Sequence, residues 1–215
     1  MEHPYESLPD NPQAAITILT TEHFNLQTAR AATISESNGR TSIFLGAVSA
    51  GLVALAFAGQ TSRTTLLTFG LVLFPVLSFL GLVTFERVLQ ASIEDTLYLQ
   101  RINRIRRFYH RAAPGLSGYL GVAAPTDDIV TILALDGYSR SRRQILLSAV
   151  GMIGVINSVL LGTVAGFGAA AITESLWPAI LVAVVVFGVA TIVHQRYQLR
   201  ARHRKPNPFA DAPPP

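Results

Sequence analysis

Four stretches of this chain, residues 43–59, 65–85, 145–172 and 176–193, run without a single charged side chain. A bilayer core takes roughly 20 apolar residues in helical form, and each stretch meets or approaches that length, the first by borrowing Thr41 and Ser42. Membrane strands alternate apolar and polar residues, and these stretches do not. The expected fold is all-α: an integral membrane four-helix protein, built as two helical hairpins, with long cytoplasmic helical extensions.

Composition agrees. Charged residues make up 14% of the chain and hydrophobic ones 50%, whereas a soluble domain carries about 25% charged residues. Cysteine is absent, which excludes disulfides, thiolate metal sites and thiol nucleophiles. A net charge of +4 would raise nucleic acid as a partner for a soluble protein; here the distribution of charge matters more than its sum, and no nucleic-acid partner is expected. The first forty residues are polar, with Glu2, Glu6 and Asp10, so they lack the basic start and early apolar run of a cleavable signal. The first apolar stretch is expected to stay in the protein.

Cations fix the expected orientation through the positive-inside rule. Of 17 lysines and arginines only Arg63 falls in the short turn between the first two stretches, and the turn between the last two holds Glu174 and no cation. The remainder lie before the first stretch, between the second and third, or in the tail. Both termini and the middle connection are therefore expected in the cytoplasm of a multi-pass cell-membrane protein, with Trp177 and Pro178 at the outer interface after a Ser175 N-cap. The organisation that follows is a cytoplasmic segment over 1–40 with an amphipathic helix, a transmembrane hairpin over 41–85, a cytoplasmic helical region over 86–143, a second hairpin over 144–194, and a basic tail over 195–215 with a disordered end.

The first helix of each hairpin carries small residues four apart: Gly46, Ala50, Ala54 and Ala58 in one, Gly154, Ser158, Gly162 and Gly166 in the other. Helices in lipid associate by close packing that small residues permit, so both stripes read as packing seams, within one chain or between subunits. Asn157 flanks the second seam near the middle of its stretch. It is either an interhelical hydrogen-bonding group or a polar lining group of a pore. Pro75 removes a helix hydrogen bond and predicts a kink. No acid, base or histidine lies within the four stretches, which argues against proton pumping and voltage sensing.

Residues 86–111 continue from the second stretch without glycine or proline and predict one long helix. Tyr98, Ile102, Ile105 and Tyr109 share one face, whose partner is expected on the helix before the first stretch, at Phe24, Ala31 and Ile34, or in another subunit. Gln100 and the basic positions Arg104, Arg107 and Arg111 share another face, which is either solvated or holds an anionic lipid or acidic partner. Thr126 is expected to cap a short helix over 127–136.

No catalytic set emerges. The five histidines show no metal-binding spacing, there is no phosphate loop, nucleophile elbow or dinucleotide motif, and adjacent Glu94 and Asp95 diverge on a helix toward Arg101 or another arginine. Neither enzymatic activity nor a cofactor is expected.

The run "TTEHFNLQTARAATISESNGRTSIFLGAVSAGLVALAF", residues 20–57, resembles uncharacterised small membrane proteins of high-GC actinobacteria, a likeness that implies a lineage and no activity. A hairpin flanked by cytoplasmic helices, residues 21–111, is similar in layout to SLATT-type bacterial membrane effectors. That resemblance implies pore formation, though the second hairpin departs from the pattern. The expected function is a homo-oligomeric channel or pore-forming protein; the alternative is a non-conducting membrane scaffold that recruits a cytoplasmic partner or anionic lipid.

Overall fold

The computed structural model describes residues 11–135, 147–173 and 175–204. Among the described residues all regular structure is helical: α1 Pro12–Thr61, α2 Arg63–Ala112, a 3-10 turn Pro114–Leu116, α3 Ile129–Leu135, α4 Ala149–Thr173 and α5 Leu176–Arg204. Four helices are long and apolar enough to cross a membrane, over Gln13–Thr61, Arg63–Ala112, Ala149–Thr173 and Leu176–Ala201. At 1.5 Å per residue α1 and α2, of 50 residues each, run about 75 Å, far beyond a hydrocarbon core.

The helix expected before the first apolar stretch is not a separate element, since α1 passes through Gly39 and Gly46 without a break. α2 likewise passes unbroken through Pro75 and on to Ala112, as the lack of later breakers predicts. Only Ser62 separates α1 from α2; its hydroxyl caps the new helix by accepting from the Thr65 N–H at 3.0 Å. α5 starts directly after Ser175, where a cap was expected.

The chain divides into two compact units, one holding residues 11–35 and 91–135, the other 36–90 and 147–204. In the first, Ile102 and Ile105 of α2 are buried against Leu26 of α1, with Leu19, Tyr98 and Tyr109 packed around them. The α2 stripe is the one the spacing predicts. Its partner face is not: Phe24 and Ile34 are exposed, as is Ala31, and Leu19 and Leu26, seven residues apart and two helical turns in register, take the contact. A second cluster joins Leu99 to Ala124 and Ile132 of α3. Asp95 pairs with Arg30 at 2.6 Å rather than with Arg101.

In the second unit α4 and α5 form a close antiparallel pair. α1 meets α2 at buried Phe44 and Gly51: a methyl on Gly81 of α2 would stand 3.1 Å from Phe44, and one on Gly51 2.9 Å from Leu77. Residues 136–146, 174 and 205–215 lie outside the described set, and with them Gly137 as the stop of α3, Arg140, Arg142 and Arg143 as an interfacial anchor, Glu174 and the end of the tail.

Candidate functional sites

Two places concentrate polar side chains. The first is buried in the apolar helices. Asn157 and Ser158 of α4 face His194 of α5, and all are buried, Asn157 and Ser158 completely. The His194 Nδ1 lies 2.8 Å from the Ala190 carbonyl, which only accepts, so Nδ1 carries the proton. Nε2 is then the acceptor for the Asn157 amide Nδ2 at 3.4 Å. Ser158 donates to the Gly154 carbonyl at 2.7 Å, and its oxygen stands 3.2 Å from the His194 Nδ1 as a second acceptor. Together these groups form one hydrogen-bonded set.

Small residues make room for it. A methyl on Gly81 of α2 would overlap the Asn157 side-chain carbonyl and crowd Phe44 of α1. One on Gly154 would stand 3.2 Å from Phe85 and 3.4 Å from the His194 Cβ. Phe85 lies edge-on to the imidazole, centroids 4.9 Å apart at 85°, a favoured aromatic geometry. One turn beyond His194, Gln198 is buried with its Nε2 lacking a hydrogen-bond partner. The space between Phe85, Gly154, His194 and Gln198 is about 10 Å³, the size of one water and too small for a ligand.

Reading the sequence does not find this set, because His194 falls one residue past the last charge-free stretch. A signal was present: Ala179, Ala183, Phe187, Ala190, His194 and Gln198 recur three or four apart along α5, a face complementary to the α4 seam. That seam is used inside the chain. Gly154, Ser158, Gly162 and Gly166 are all buried; a methyl on Gly162 would stand 2.7 Å from the Ala183 carbonyl, and one on Gly166 3.0 Å from the Ala183 side chain. Along the described helix Asn157 lies about 12 Å from the Ala149 end and about 24 Å from the Thr173 end.

The α1 stripe is treated differently. Gly46, Ala50 and Ala54 are exposed and Ala58 half-buried, and nothing stands within 4 Å of a methyl placed on Gly46. The close approach of α1 to α2 is instead at Gly51, on another face.

The second polar site is on the far part of α2. Its face of Gln100, Asn103, Arg104 and Arg107 is covered by the chain's own loop. Asn103 is buried; it accepts from the Ala124 N–H at 2.7 Å and donates to the Ala124 and Thr126 carbonyls at 3.2 and 3.1 Å. Gln100 donates to the Asp127 carbonyl at 2.9 Å. The Asp127 carboxylate takes Arg104 at 2.7 Å and Arg107 at 2.5 Å, and Arg107 also donates to the Pro125 carbonyl at 2.9 Å. Two of the three expected basic positions, Arg104 and Arg107, are thus tied to an internal acid. α3 is capped by Asp128, whose carboxylate accepts from the Thr131 N–H at 3.1 Å, and not by Thr126. Asn103, whose polar side chain organises the loop, was hidden in the sequence between the isoleucine stripe and the arginines.

Among the described residues no three histidines or carboxylates gather as a metal site. Comparison with family models, curated proteins and solved structures finds no match to this chain.

Proposed function

We propose that the four apolar helices cross the cell membrane as two hairpins with both termini in the cytoplasm, and that several copies assemble into a channel or pore-forming homo-oligomer. One observation carries the assembly: α1 exposes small and hydroxyl-bearing side chains in its apolar part as well as bulky ones. On α2, Val72, Val76 and Phe79 are exposed, and on α5 Leu181, Val184, Val185 and Val189, bulky side chains suited to lipid. On α1 Ser42, Gly46, Ser49, Ala50 and Ala54 are exposed beside Ile43, Val53 and Phe57. Small and hydroxyl-bearing side chains gain little from lipid but allow close helix approach and interhelical hydrogen bonds. Several such faces turned toward a common axis make a mildly polar path without charge, and Asn157, enclosed within one chain, acts as glue and not as lining.

The layout likeness to SLATT-type effectors belongs to this reading, and the reading needs no catalytic chemistry, cofactor or nucleic acid. Native mass measurement in detergent gives the subunit count, and ion flux from liposomes gives conduction. A closed ring of several subunits that passes ions supports the proposal; a monomer, or a ring that passes none, rejects it. A second reading, a non-conducting scaffold that recruits an acidic partner or anionic lipid, is favoured by the exposed Arg111 and the groove beside it.

A further inference from the structure

Between the last turns of α2 and the loop that follows lies a groove of about 540 Å³, within the range of small-molecule sites. Arg107, His110, Arg111 and Ser117 supply its polar border, Leu120 and Val122 part of its apolar wall, and no carboxylate lines it. We propose that this groove binds an organic phosphate, through chemistry shared by a phospholipid headgroup and a soluble phosphate monoester.

Three features support a site rather than a solvated patch. The wall is held in place, since Asn103 clamps Ala124 on both its N–H and its carbonyl, and His110 is hydrogen-bonded to the Gly121 carbonyl at 2.9 Å. The guanidinium of Arg107 is fixed by Pro125 and Asp127. The side chain is thus a fixed part of the groove's border. Finally, cations border one part of the groove and alkyl groups another, which matches a phosphate attached to an apolar or sugar-like body better than a bare inorganic ion. Planar guanidinium groups are suited to phosphate oxygens.

The assignment deepens the scaffold reading by naming a ligand class, and it stands or falls separately from it, because binding in detergent requires neither conduction nor capture of a partner. The test uses the full chain in neutral detergent. One arm titrates glycerol 3-phosphate and inorganic phosphate by calorimetry; the other follows the melting temperature on addition of short-chain phosphatidylglycerol against phosphatidylcholine. Saturable binding in either arm supports the site, the arm that responds identifies the source, and glycerol 3-phosphate should bind more tightly than inorganic phosphate if the soluble arm is the one. Arg111→Gln should weaken that binding tenfold or more. Ser117→Asp, at an exposed position, should abolish it while circular dichroism is unchanged. No response in either arm, or binding that both variants leave intact, overturns the proposal.

Discussion

The Asn157 amide of α4 stands 3.4 Å from the Nε2 of His194 on α5, and both residues are buried. A hydrogen bond between apolar helices has few competitors, since lipid offers none, yet measured couplings in such settings stay modest because the unfolded helices also find partners. The pair therefore fixes register more than it adds stability, and the surrounding glycines have the same function: Gly81 and Gly154 admit groups that any side chain there would displace.

A double-mutant cycle of Asn157→Leu and His194→Leu, read by denaturant unfolding in detergent, should give a coupling of about 0.6–1.7 kcal/mol. Each single variant leaves a polar partner buried and should cost about 1–3 kcal/mol, so the double variant should recover part of the loss. Strict additivity would show that the two side chains do not interact. If Asn157 is glue and not lining, Asn157→Leu leaves ion preference unchanged in protein that conducts.

Two stripes that look alike in the sequence should respond in opposite ways to enlargement. Gly162→Leu drives a side chain into the Ala183 carbonyl of the neighbouring helix and should destabilise the chain by about 1–3 kcal/mol through overpacking. At Gly46, which is exposed and where a methyl would meet nothing within 4 Å, Gly46→Leu should leave unfolding of the single chain unchanged or slightly harder, because leucine is the better helix former. Its effect should appear in the subunit count by native mass measurement. An unchanged count would remove the α1 face from the oligomer contact.

The helical class, the four apolar elements, the short turns and the long α2 were legible because each follows from periodicity, length and the absence of breakers, all local properties. Partner choice was not. Leu19 and Leu26 were passed over for Phe24, Ala31 and Ile34 because the composition of a face does not say which face docks when the opposing helix presents a single stripe. His194 was missed because charge-free length marks where lipid can be crossed and not where packing between helices continues. The basic face of α2 read as open because nothing local announced that Asn103 would fold the following loop back over it.

Asn103→Ala should free that loop. It removes both a donor and an acceptor from the backbone of buried Ala124 and a donor from the exposed Thr126 carbonyl, a cost of about 1–3 kcal/mol. The expected outcome is faster proteolysis and hydrogen exchange over residues 113–128, with the α4–α5 pair unaffected. Asp127→Asn should have a similar local effect by leaving Arg104 and Arg107 without their carboxylate, and because the ion pair is largely shielded from solvent it should persist in moderate salt. Exchange rates that match the native chain would show that the clamp does not hold the loop.

His23 gives the first unit a pH dependence of predictable sign. Burial among α1 and α2 side chains, and then the charge of Arg106, hold its pKa below the ordinary value of 6.5, so the folded unit binds a proton less readily than the unfolded chain. A depressed folded value means that the stabilisation is complete above pH about 6.5 and declines as pH falls through that value toward the lower folded one. Hydrogen exchange over residues 19–30 and 98–109, followed from pH 8 to pH 5 after correction for intrinsic rates, should show protection lost on the acid side. His23→Gln, which keeps a polar group but does not titrate, should flatten that part of the profile. A native profile already flat between pH 7 and pH 5, or a slope that His23→Gln leaves unchanged, would assign the linkage to another group.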